Sequence, residues 1–156
     1  MDSNDYLLKI DRLIASHGHA VQGVFDPDGK KAAYGYTIGN VLQGLPELLV
    51  SGLPPDIMMP ILNDTVALMR AGTLKVTDHA RTSDIAQGYD TAFRLVDLSR
   101  VDDEINLLKV WCRLHEIELP PVYQLVWPDA QNRFPWEPGF TEKMRAMQPV
   151  LYSTVH

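Results

Sequence analysis

Three side chains in this 156-residue chain combine acid–base chemistry with a suggestive setting: Glu47, Asp129 and His79. Glu47 opens the run Glu47-Leu48-Leu49-Val50-Ser51, which is short and apolar enough to be a buried strand. A carboxylate there must be paired or shifted in pKa, and either state can serve proton transfer. The competing role is to accept backbone N–H groups or to pair with an arginine such as Arg133. Asp129 follows Trp127-Pro128, where proline stops strand pairing and leaves the acid at a strand end. His79 stands beside Asp78 and near Arg81, and an imidazole titrates close to neutrality. A solvated loop histidine is the plainer reading.

Two stretches supply groups that could hold a ligand. In Gly35-Tyr36-Thr37-Ile38-Gly39, strand alternation puts Tyr36 and Ile38 on one face and Thr37 on the other. The flanking glycines would leave the Thr37 hydroxyl in an open groove, with Gly39 letting a ligand approach the backbone. Alternatively the glycines serve a bulge or a tight crossing. The second stretch, Val122 to Phe140, contains two of the chain's three tryptophans together with Pro128, Pro135 and Pro138. Proline stiffens a loop and lowers the entropy cost of holding Trp136 and Glu137 in place. Trp127, Asp129, Trp136 and Glu137 then form either a pocket wall or a lid over one end of the core.

Other chemistries find less support. His17, His19, Asp78 and His79 would be enough ligands for a metal, yet no HExxH helix or cysteine pair accompanies them, and no metal site is assigned. Cys112 lies among Leu108, Trp111 and Leu114, an apolar setting that disfavours a thiolate. Neither a Gly-x-Ser-x-Gly elbow nor a GxGxxG or P-loop pattern occurs, so no cofactor is implied.

The elements that must position these residues follow from periodicity. A helix is expected from Ser3 to His17, with Leu7, Ile10, Leu13 and Ile14 inward, Asp2 or Ser3 at its start and Gly18 at its end. Strands from His19 to Phe25 and Ala33 to Ile38 flank the turn Asp26-Pro27-Asp28-Gly29 and form a hairpin. Gly39 to Pro46 is a loop and Glu47 to Ser51 a strand. Pro55 opens a helix that Gly72 closes. Leu74 to Thr77 is expected as a strand, Thr82 to Gly88 as a loop, and Thr91 to Leu98 as a strand. Ser99-x-x-Asp102 resembles a capping box for a helix that turns Val101, Ile105, Leu108 and Cys112 inward, and Pro120-Pro121 prevents its continuation. Val122 to Val126 is the last strand, and Thr141 to Leu151 holds a short helix broken at Gln148-Pro149. The order lacks regular β-α-β alternation. It predicts a single α+β domain, a mostly antiparallel or mixed sheet of about five to six strands packed with three main helices.

Bulk composition bounds the partners. Hydrophobic residues make up 46% of the chain, enough for a real core, and the net charge is −6. That charge and the lack of a basic run argue against nucleic acid. No apolar run reaches the roughly 18 residues of a membrane span. The acidic, polar N-terminus does not resemble a signal peptide, and a single cysteine excludes an internal disulfide, so a cytoplasmic protein is expected. The sequence does not set the oligomeric state.

Seven islands occur in order: Val21-Gln22-Gly23-Val24, Tyr36-Thr37-Ile38-Gly39, Leu45-Pro46-Glu47-Leu48, Gly52-Leu53-Pro54-Pro55, Trp127-Pro128-Asp129, Phe134-Pro135-Trp136-Glu137-Pro138-Gly139 and Gln148-Pro149. In this order and spacing the chain resembles the bacterial domain of unknown function 4262, from about Ala15 to Leu151. The resemblance implies a small bacterial cytosolic domain and brings no reaction with it. Two positions depart from the family pattern, Asn40 in place of leucine and His19 in place of an aromatic residue, so any role for His19 is particular to this chain.

Three functions remain open. The first is a small-molecule pocket, with catalysis undecided, between the Tyr36–Glu47 strands and the Trp127–Trp136 loop. The second is a protein-interaction module of immunity or inhibitor type, using the acidic surface and the aromatic loop. In the third, the islands only stitch the fold together.

Overall fold

The computed structural model describes residues 3–101 and 103–154. Six strands form one mixed sheet in the order β1-β2-β3-β6-β5-β4. They are β1 (Ala20–Val24), β2 (Tyr34–Ile38), β3 (Glu47–Ser51), β4 (Arg81–Ala86), β5 (Tyr89–Leu95) and β6 (Val122–Val126). The helices are α1 (Ser3–His17), α2 (Pro55–Arg70), α3 (Asn106–Leu114) and the short α4 (Glu142–Met147). Every pairing is antiparallel except that of β3 with β6, at the centre of the sheet. Strands covered on both faces need no alternation, which is why Glu-Leu-Leu-Val-Ser and Val-Tyr-Gln-Leu-Val read as nearly continuous apolar runs.

The two faces carry different cores. Helices α1 and α3 cover one face, where Leu7, Ile10, Leu108 and Trp111 pack on Tyr36, Ile38 and Leu49. Helix α2 covers the other, where Met58, Leu62 and Val66 pack on Leu48, Val50, Phe93 and Leu125. A third, smaller cluster joins Ala92 and Val126 of the sheet to Phe134, Trp136 and Tyr152. At that end of the sheet the Trp/Pro loop and the C-terminal segment do the work of a helix.

Several expectations are corrected. Residues 74–77 form no strand; Thr73 and Leu74 donate N–H bonds back to the Leu68 carbonyl as α2 terminates, and only Val76 is buried. The polar stretch expected as a loop is the edge strand β4, whose exposed side needs no apolar residues. Strand β5 stops at Leu95, and Leu98–Arg100 is a 3₁₀ turn in which Asp97 accepts from the Ser99 N–H and hydroxyl. Helix α3 therefore starts only at Asn106, although Val101, Ile105, Leu108 and Cys112 are all buried as expected. Asp2 and Asp102, expected at helix starts, lie outside the described residues. No helix among the described residues is long and apolar enough to cross a membrane.

Candidate functional site

Glu47 is the first residue of β3 and has no exposed surface. Its Oε1 accepts from the Thr37 hydroxyl at 2.8 Å and from Asn40 N–H at 3.2 Å. Its Oε2 accepts from Gly39 N–H and Val41 N–H, each at 3.1 Å. Three successive amides can aim at one carboxylate because Gly39 takes φ 108°, the left-handed region, as the chain leaves β2. Thr37 also accepts from Leu48 N–H and Asn40 Nδ2, so its hydroxyl is fully used. It too is wholly buried, and the open groove expected beside it is closed. Burial pushes the Glu47 carboxyl up to about 7, against the downward pull of its four donors. Burial, followed by the Glu47 charge, pushes the Cys112 thiol up to about 11, which makes it a poor nucleophile. Tyr36 packs under α3, 2% exposed, with its ring stacked on Tyr34.

The Trp/Pro loop is organised by its own acids. Asp129 Oδ1 accepts from the N–H groups of Gln131 and Arg133, and Oδ2 from Arg133 Nε at 3.0 Å. Burial raises its pKa, but the two amides and the Arg133 guanidinium outweigh this and leave it below the ordinary value. Glu137 closes the next turn by accepting from Phe134 N–H at 2.9 Å. Trp127 donates its indole N–H to the Ser51 carbonyl at 2.8 Å. Gln148 bonds both backbone groups of Trp127, accepting from its N–H and donating to its carbonyl, each at 2.9 Å.

These two centres do not meet. In the parallel β3–β6 pair Glu47 stands opposite Val122, whereas Trp127 follows the far end of β6. Five residues at about 3.3 Å each leave about 16 Å of sheet between Glu47 and the start of the loop. The cleft expected between the Tyr36–Glu47 strands and the Trp127–Trp136 loop is not formed. Thr37, Gly39 and Glu47 bond one another at one end of the parallel pair, and Asp129 bonds its own loop at the other.

Of the expected ligand-binding residues, Trp136 lines a cleft of about 410 Å³. Its ring lies flat on Phe134, centroids 5.1 Å apart and 6° between planes, and edge-on to Tyr152 at 6.0 Å. The floor is Arg94 of β5, whose side chain is 10% exposed. Its guanidinium carbon lies 5.2 Å from the Trp136 centroid and 4.5 Å from that of Tyr152, while its Nε donates to Asp78 at 2.9 Å. Arg145 of α4, Pro135, Gln148, Pro149, Val150 and Thr154 complete the walls. His79 stands outside with its ring edge-on to Trp136 at 6.0 Å, at φ 70°, mostly exposed. His19, far along the chain from these groups, uses both ring nitrogens, one with Asn63 Oδ1 and one accepting from Arg70 Nη2. Among the described residues no three His, Cys, Asp or Glu side chains are grouped to hold a metal ion.

Sequence reasoning did not find Arg94, Arg145 and Tyr152. One signal was available for Arg94: in the alternating run Thr91 to Leu98, it shares the inward parity of Ala92 and Val96. A charge on the inward side of a strand calls for an explanation. Arg145 and Tyr152 had no such signal, because only the folded tail brings them to β5.

The family model for Domain of unknown function (DUF4262) matches residues 13–141. The chain belongs to this family. The match contains both the Glu47 knot and the Trp/Pro loop, so DUF4262 membership covers Arg94 and Trp136, while Arg145, Gln148 and Tyr152 lie beyond the matched residues. No curated protein and no solved structure matches the chain.

Proposed function

We propose that this DUF4262 domain binds a small organic molecule in the cleft between the Trp/Pro loop and the C-terminal segment. The observation that carries this reading is the wall of Trp136, stacked on Phe134 and braced by Tyr152, above a cavity of about 410 Å³. That volume suits a small ligand, and rigid aromatic walls reduce the entropy lost on binding. Among the described residues the cleft is lined by no Asp, Glu, His or Cys, which favours recognition over acid–base catalysis. The family resemblance and the single cysteine support placing the domain in the bacterial cytoplasm. A docking loop for a protein partner would turn its rings outward; here Phe134 is wholly buried and both loop tryptophans are half-buried.

The test is a fragment screen by thermal shift on the wild-type chain and on Val150→Trp, which fills the cleft. Fragments that raise the wild-type melting temperature but not that of the variant are expected. Hits that stabilise both chains equally, or a screen without hits, overturn the reading.

A further inference from the structure

The charge distribution around this cleft narrows the class of ligand. The chain carries 20 acidic against 14 basic residues, so its average field repels anions. The cleft departs from that average: among the described residues two guanidiniums, Arg94 and Arg145, line it and no carboxylate does. Arg94 is nearly buried, and burying a cation is costly unless its donors are met. Asp78 takes its Nε; no acceptor among the described residues takes either terminal nitrogen, and neither is sealed from solvent, so both are reachable by a ligand. Arg145 donates Nε to Glu142 and Nη2 to the Pro135 carbonyl, and its Nη1 likewise has no acceptor among the described residues. Gln148 also lines the cleft, yet its amide is already spent on Trp127. The two arginines thus offer donors into a cavity whose other surfaces are largely ring faces and aliphatic carbon.

We infer that the cleft takes a flat-ringed oxyanion, an aromatic carboxylate or phosphate monoester, with its anionic group on Arg94 and Arg145 and its ring against Trp136. The inference rests on the cleft being a ligand site, as proposed above. Contacts with the Trp136 and Tyr152 rings and the Nε bond to Asp78 restrain the Arg94 guanidinium, and a restrained planar fork suits a carboxylate or phosphate better than a mobile ammonium would.

The experiment compares four probes of one shape by saturation-transfer NMR and titration: 1-naphthoate, 1-naphthyl phosphate, 1-naphthamide and 1-naphthylmethylamine. One or both anions are expected to bind at least about tenfold more tightly than the amide or the amine, as charge-assisted hydrogen bonds imply. Which anion binds more tightly identifies the oxyanion. Arg145→Gln, at a half-exposed position, is expected to remove about tenfold of that affinity, with an unchanged circular dichroism spectrum checking that the fold is kept. Arg94→Lys keeps the charge without the fork and is expected to weaken both anions. Binding of the amide or amine that equals the anions and is blocked by Val150→Trp overturns the anion assignment and leaves the cleft reading standing. Failure of all four probes overturns the assignment as well, while the unbiased fragment screen judges the cleft separately. Anion binding unchanged in both arginine variants also overturns it.

Discussion

Glu47 shows how one buried carboxylate can be structural and still titrate near neutrality. Four donors from the β2 end converge on it, and removing it would orphan all four inside the protein. Leaving buried donors unmet is costly, so Glu47→Leu is expected to lose about 3 kcal/mol at about pH 5. For a chain of this size that lowers the melting temperature by about 6–12 °C, measurable by calorimetry. The folded pKa, about 7, lies above the ordinary 4.5, so the folded state binds the extra proton between those values. The stabilisation from Glu47 is therefore fully present below about 4.5 and is lost as pH rises through about 7. The gap between wild type and variant should shrink from about pH 5 to about pH 8, and a gap that widens would refute the assignment. At this scale the sequence was informative about Glu47: the acid at the head of an apolar strand had to be paired or shifted, and it is both. It was not informative about the partners, since the Thr37 hydroxyl reaches Glu47 only after the hairpin folds against β3.

The Trp/Pro loop and the C-terminal segment behave as one element. Gln148 binds Trp127 as a neighbouring strand would, Gln124 donates to the Pro149 carbonyl, and Gln124 Oε1 accepts from Leu151 N–H. Side-chain amides thus replace a missing strand. Gln148→Ala is expected to speed amide hydrogen exchange at Trp127 and Leu151 by about tenfold or more while the exchange of β2 and β3 stays unchanged, because local opening needs only the local bonds. Equal acceleration across the sheet would instead mean global destabilisation. Asp129 has the opposite pH logic to Glu47. Its folded pKa lies below the ordinary 3.8, so its hold on the loop is present above that value and is lost as pH falls through the lowered one. The protection factors of the Gln131 and Arg133 amides, taken relative to the intrinsic exchange rate at each pH, should fall before those of the sheet on acidification. Elements were mostly legible: α1, α2, the hairpin, β3 and β6 all lie where periodicity and proline placed them. Strand β4 escaped because an edge strand need not look apolar, and α3 begins late because the Asp97 turn consumes the residues expected at its start.

Across the whole molecule the third cluster explains why the tail matters. Tyr152 is 3% exposed, covers Ala92, Val126 and Phe134, and its neighbour Val150 packs there as well. Ending the chain after Thr141, where the family match stops, would strip that cover and expose a buried aromatic cluster. Losing burial on this scale costs about 3–5 kcal/mol, so the truncated chain is expected to melt about 10 °C lower in a thermal scan. An unchanged melting temperature would show that the tail is only docked. The α+β class, a sheet of about five to six strands and the family were accessible from the chain itself, because hydrophobic period, turn chemistry and the order of the islands are local properties. Which islands share a site was not local. Nothing in the residues of β3 or β6 announces that the two run parallel, yet that single pairing sends Glu47 and Trp127 to opposite ends of the sheet. The same tertiary choice laid the tail over β5 and turned an inward arginine into the floor of a cleft. Side-chain types are set along the chain, but register and strand direction are won by burial summed over the whole sheet, and only the folded molecule carries that sum.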